Sequence, residues 1–139
     1  NFIGLENNLD KLVGKHLFSE GYIVYLYQPK EKAFYKEMIM TNSALVKTTS
    51  TLQGFYLDEQ KELNEKLLNS EYVILDQSSI INRENYLHEL GINYLLIRRI
   101  RTTEGIIGEV QIILKEQPSD EKLNQLKKDL TQIIYQYVL

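Results

Sequence analysis

Cysteine is absent from this 139-residue chain. That gap removes disulfides, thiolate metal sites, Cys-ligated iron–sulfur clusters and cysteine nucleophiles together, and it fits a reducing cytoplasm. No apolar run approaches the length of a membrane span, and no stretch has the pattern of a signal peptide. Histidine is scarce: His16 and His88 are the two, and neither has a Cys or second His at metal-ligand spacing. The acids form no evident catalytic pair. Gly105 and Gly108 do not open a helix, so no glycine-rich phosphate loop exists. Nothing in the sequence argues for an enzyme, a metal or a cofactor. With a net charge of −3, and basic residues scattered apart from Arg98, Arg99 and Arg101, no general attraction to nucleic acid or to an anionic membrane is expected.

What is present is the composition of an ordinary globular domain, 43% hydrophobic and 25% charged, at a length that makes one domain with a proper core. The chain starts at Asn1 rather than Met and ends at Leu139 inside an apolar pattern. Residues 1–139 are therefore read as a single domain cut from a longer protein.

The stretch with most information is Gly91–Leu114, GINYLLIRRIRTTEGIIGEVQIIL. Two arms rich in β-branched and aromatic residues flank the bend Thr102-Thr103-Glu104-Gly105, which predicts a hairpin. Tyr94, Leu96, Arg98 and Ile100 share one face of the first arm; Leu95, Ile97, Arg99 and Arg101 share the other. In the second arm Ile106, Gly108, Val110, Ile112 and Leu114 alternate with Ile107, Glu109, Gln111, Ile113 and Lys115. Neither face is cleanly polar, so the hairpin is expected in the middle of an antiparallel sheet covered on both sides.

Ahead of it, Phe2, Leu5, Leu9, Leu12 and His16 make one helical stripe, interrupted by Gly4 and Gly14 and closed by a turn at Ser19-Glu20-Gly21. Tyr22–Tyr27 and Ala33–Met40 read as two strands around a turn at residues 28–32. Residues 41–54 carry no assignable pattern. Asp58 is expected to cap a helix running through Leu68, with Leu63, Leu67 and Leu68 inward and Asn69 at its end. Tyr72–Leu75 is a short strand leading to Asp76, and a helix spans Asn82–Leu90, stopped by Gly91. Beyond the hairpin, Pro118-Ser119-Asp120-Glu121 starts a helix with a Ser cap and two acids. Leu123, Leu126, Leu130, Ile133 and Tyr137 follow at heptad-like spacing, widened by Ile134 and Val138. This order predicts an α+β fold with an antiparallel sheet and helices packed on it.

From Leu75 to Leu139 the chain resembles the GAF family of sensory domains. The resemblance rests on YVILDQ, YLHELGI, NYLLIRRI, GIIGEVQII, PSDEKL and LKKDLTQIIYQYV, in that order and at family-like spacing. The family often has Ser early in the central strand and Pro near its end, where this chain has Tyr94 and Arg99. The asparagine-lysine-phenylalanine-aspartate signature of cyclic-nucleotide GAF domains is not found, and cysteines that hold a bilin or catalyse sulfoxide reduction are ruled out.

The resemblance implies that both terminal helices lie on one face of the sheet, while short helices and loops roof a small-molecule pocket on the other. It implies a cytoplasmic regulatory domain, or the cytoplasmic part of a membrane-anchored protein. Binding would alter terminal-helix packing and so bias an attached sensor histidine kinase or transcription-regulator domain. A homodimer through the terminal helices would follow, with no nucleic-acid or membrane contact by this domain. Candidate ligand-lining residues are Tyr94 and Arg98, a hydroxyl and a guanidinium suited to a small anion, with Glu109 as the acid across the hairpin that would otherwise pair the arginine. Asp76 and Ser78 follow a strand where family ligands often touch, and serve equally as turn residues. Phe55 and Tyr56 suit a lid, or plain core packing. The competing reading is a degenerate GAF fold kept for dimerisation or protein contacts without a ligand.

Overall fold

The computed structural model describes residues 2–41, 53–76 and 91–138. The helix expected over residues 82–90, with Ser78 and His88, lies outside the described residues. Helix α1 spans Phe2–Lys15 and buries Leu5, Leu9 and Leu12, the expected stripe, with His16 buried just past its end. Strands β1 (Ser19–Gln28) and β2 (Ala33–Thr41) form the first hairpin, and β3 (Gly54–Tyr56) adds to the outer edge of β2. A 3₁₀ turn at Leu57–Gln60 leads into α2, Lys61–Asn69. After β4 (Tyr72–Leu75) come β5 (Tyr94–Thr102) and β6 (Gly105–Leu114), and α3 occupies Asp120–Val138.

Three expectations need correction. Ser19-Glu20-Gly21 is not a closing turn but the start of β1, at a bulge where the register to β6 shifts. Gly21 is required there because a Cβ would collide with the Met40 carbonyl oxygen. Asp58 caps no helix; it sits inside the 3₁₀ turn, and α2 starts three residues later. Leu63 and Leu67 point inward as expected, but Leu68 is exposed. At about 100° per residue, Leu68 lies about 140° round the helix from Leu63 and cannot share its face.

The sheet order is β3-β2-β1-β6-β5-β4, antiparallel throughout, so both arms of the β5–β6 hairpin have neighbours on each side. Thr103 and Glu104 make its turn, Thr102 Oγ1 accepts from the Glu104 amide at 3.2 Å, and Gly105 takes φ +122°, a conformation open chiefly to glycine.

Two cores lie back to back across this sheet. On one face α1 and α3 pack side by side over Tyr22, Val24, Leu96, Ile100, Val110, Ile112 and Leu114. Helix α3 contributes Leu126, Leu130 and Ile134, and its first turn is capped by Ser119 Oγ, which accepts from the Lys122 amide at 3.3 Å. Polar pegs fix both helices: the Tyr22 hydroxyl donates to Asp10 at 2.6 Å, and His16 and Lys15 reach Asp129 of α3 at 2.8 and 2.9 Å. On the opposite face α2 and the 3₁₀ turn cover Ile23, Tyr25, Phe34, Val73, Leu75, Leu95, Ile97 and Ile113. The expected placement of the two terminal helices on one face is what the structure has.

Candidate ligand-binding face

The face roofed by α2 holds a buried charge network in the middle of its apolar core. Arg99 of β5 and Glu109 of β6 stand opposite each other in the register, with side chains 1% and 0% exposed. Arg99 Nε and Nη2 both donate to Glu109 Oε1, at 3.2 and 2.9 Å. Gln111 donates to the other carboxylate oxygen at 2.7 Å, being two residues along the same strand and so on the same face. Arg99 Nη1 donates to Asn64 Oδ1 of α2 at 2.6 Å, and Asn64 Nδ2 passes the chain to the Leu57 carbonyl at 2.8 Å. One guanidinium thereby ties the sheet to its roof.

Aromatic rings close over that network. The Arg99 guanidinium lies 5.0 Å from the Phe34 ring centroid, a cation–π contact that spans from β5 to β2. Such reach across two intervening strands requires a curled sheet, concave on this side. Phe34 stacks on Phe55 at 4.8 Å with an interplanar angle of 19°, and Tyr25 meets Phe55 edge-on at 5.0 Å. At the rim, Ala33, Phe34, Phe55, Tyr56 and Glu59 line a hollow of about 250 Å³. Chemically the face offers stacking surfaces and one neutral, fully engaged ion pair. A ligand anion would have to displace Glu109 to take Arg99.

Neither a protein-family model nor a curated protein matches the sequence. Solved structures do. The GAF domain/HD domain protein from Geobacter sulfurreducens superposes with a TM-score of 0.68 at 15% identity, over 94% of this chain and 88% of that one. The GAF domain of a two-component sensor histidine kinase from Bacillus halodurans gives a TM-score of 0.66 at 15% identity, over 99% of this chain and 95% of that one. A phycocyanobilin-bound GAF domain from a cyanobacterial phytochrome gives 0.64 at 12% identity, over 96% and 93%. The chain has the GAF fold. At these identities the likeness concerns the fold alone.

Within the GAF fold the six candidates fall in separate places. Tyr94 and Arg98 share a face of β5, as read, but it is the face under α1 and α3, not the roofed one. They are four residue steps apart along the strand, about 13 Å. Arg98 lies over the Tyr72 ring at 4.9 Å and beside Glu71, so its acid is Glu71 and not Glu109. Phe55 is built into the aromatic stack on the roofed face, and Tyr56, its neighbour on β3, is exposed. Asp76 is an exposed residue directly after β4, and Ser78 lies outside the described residues. Only Phe55 and Tyr56 are brought together, at the rim hollow.

Sequence reasoning passed over Arg99, Glu109, Gln111, Asn64 and Phe34 as a group. One signal was present: Arg99, Glu109 and Gln111 occupy positions that alternate with buried aliphatics. The pairing was obscured by a bulge. Counting back from Thr102 opposite Gly105 sets Glu109 against Arg98; the register shifts between Ile100 and Arg101, and that one residue brings Glu109 to Arg99. Among the described residues no group of His, Asp and Glu is placed to hold a metal ion, and no helix is long and apolar enough to cross a membrane.

Proposed function

We propose that this chain is a sensory domain that binds a small ligand on its roofed face and, through α1 and α3, biases an attached output domain of the sensor histidine kinase or transcription-regulator type. The observation that carries the reading is the back-to-back arrangement of two cores sharing β1, β5 and β6. Repacking on the concave side acts on the same strands that seat the terminal helices. The neighbouring structures include a domain of a sensor histidine kinase and a domain holding a bilin, which supports a sensory role in general terms. The bilin itself has no counterpart in a chain without cysteine, and the ligand is taken to be a non-covalent small molecule. The role is regulatory and cytoplasmic, not enzymatic. A homodimer formed through the terminal helices belongs to the same reading, and Ile3 of α1 is an exposed apolar side chain open to it.

Signalling of this kind demands that the ligand favour one helix arrangement over another, since equal affinity for both transmits nothing. A thermal-shift screen of metabolites and anions tests the binding half. A true ligand raises the melting temperature with concentration by mass action, the gain in unfolding free energy being about 2.7 kcal/mol at a hundredfold excess over Kd. Phe55→Ala abolishes the shift if the ligand sits against the aromatic stack. A second reading, a GAF fold kept as a dimerisation module, is favoured by the full engagement of Arg99, which fills part of the concave face. No shift with any compound, together with a concentration-dependent dimer of the intact chain, sinks the sensory reading in favour of that one.

A further inference from the structure

Strand β5 carries a second polar feature beside Arg99, at the sheet edge. Strand β4 pairs with β5 only from Leu95 to Arg98, so residues 99–102 have no strand partner on that side among the described residues. The notch left there is a groove of about 450 Å³, bounded by Leu68, Ser70 and Glu71 on one side, Arg98 and Arg101 on the strand, and Tyr135 of α3. Arg98 is 8% exposed, and its Nε and Nη1 are buried without a hydrogen-bond acceptor among the described residues. Nη1 lies 2.9 Å from Glu71 Oε2, close enough for Coulomb attraction but out of line for a hydrogen bond. Glu71 itself is largely exposed. Arg101 has no ion-pair or hydrogen-bond partner among the described residues.

An arginine whose Nε and Nη1 are buried and unmet is costly, because each buried donor without an acceptor forfeits its hydration. The Nε–H points away from Nη1, so the two unmet donors call for separate acceptor oxygens, which a carboxylate or phosphate carries. We propose that the groove is an oxyanion-binding site, in which a phosphate or carboxylate group displaces Glu71 and is held by Arg98 and Arg101 beside Ser70 and Tyr135. The groove borders the roofed face through Leu67 and Arg99, which also line it, but the site does not depend on a ligand there. Burial, and then the nearby Arg99 charge, lower the pKa of Arg101, so an added negative charge relieves a cation already at a disadvantage.

The groove is also wired to the terminal helix. The Arg98 guanidinium rests on the Tyr72 ring, and the Tyr72 hydroxyl donates to the Lys127 carbonyl of α3 at 2.9 Å and sits 2.6 Å from Thr131 Oγ1. Lys127 Nζ stands over the same ring at 5.9 Å, adding positive charge. An anion that repositions Arg98 therefore acts on the residue that clasps α3 to the edge strand.

The test is a titration of the 139-residue chain with inorganic phosphate, and separately with acetate, following the arginine Nε–H signals by NMR against chloride at equal ionic strength. Saturable movement of the Arg98 and Arg101 signals is expected. Arg101→Ala should weaken binding about tenfold, the loss of a charge-assisted contact, while Glu71→Gln should tighten it by removing the internal competitor. Both positions are exposed enough that folding is not at stake, unlike Arg98→Lys. Saturation by phosphate alone or acetate alone supports the site and fixes its chemical class. Movement no greater than with chloride, or equal affinity in Arg101→Ala, overturns it.

Discussion

The two faces of the sheet are built on different terms. Under α1 and α3 the core is mostly aliphatic, with Phe18 and Tyr22 its buried aromatics, and polar contacts such as Tyr22–Asp10 and His16–Asp129 sit at its margin. Under α2 an ion pair stands in the centre, with the roof helix hydrogen-bonded to it through Asn64. An apolar core loses stability roughly in proportion to the volume removed and tolerates swaps of similar shape. A buried ion pair contributes little net stability when intact and becomes severely destabilising when one partner is lost. The helix face is thus a platform, and the roofed face is a place where one change of charge is felt throughout.

The largest effect expected from breaking this contrast is Glu109→Ala. It strands Arg99 in a site with no other carboxylate bonded to it among the described residues and should cost about 3–5 kcal/mol in a urea denaturation series. Replacing both partners, Arg99→Met with Glu109→Leu, should restore most of that loss, since a well-packed apolar pair avoids the desolvation of both charges. A double variant as unstable as the single one would contradict the contrast. On the helix face Leu9→Ala should cost about 3 kcal/mol through the cavity left beneath α1, and no charge replacement nearby should rescue it. A loss below about 1 kcal/mol would show that α1 is not part of the same core.

The smallest effect concerns the margin of the helix face and depends on pH. Burial alone would raise the Asp129 pKa, but hydrogen bonds from Lys15 and His16, the Lys15 charge and Gln125 outweigh it, and the carboxyl titrates below its ordinary value. A folded pKa that is depressed adds stability above the unfolded carboxylate pKa of about 4, and that stability is lost as pH falls through the folded value. Asp129→Asn should therefore be less stable than the natural chain at neutral pH, by about 0.5 kcal/mol, and the gap should close in acid. A gap that stays constant from neutral to low pH rules out this α1–α3 contact as the cause.

Much of this architecture could be read from residues. The Ser119 cap, the stripe on α3, the hairpin turn at residues 103–104 and the double-sided burial of β5 each follow from local chemistry that tertiary context did not override. What could not be read depends on relations between distant segments. Alternation along β5 separates Arg98 from Arg99 but does not say which of them meets the terminal helices. The bulge between Ile100 and Arg101 is a single-residue slip with no turn residue to announce it, and it redirected Glu109 from one arginine to the other. The start of β1 at Ser19 depends on how closely Gly21 approaches β2, which is invisible without the partner strand. The candidate site suffered most: its network draws on α2, β5, β6 and β2, four elements with no shared motif.

Whether the two faces communicate is the claim on which the sensory reading stands. Hydrogen exchange of the natural chain and the Arg99→Met/Glu109→Leu double variant, at conditions of equal global stability, measures it most directly. The account predicts that emptying the roofed face of its charges changes protection of amides in α1 and α3 by about tenfold, as well as in α2. Changes confined to α2, β5 and β6, with α1 and α3 untouched, would contradict it.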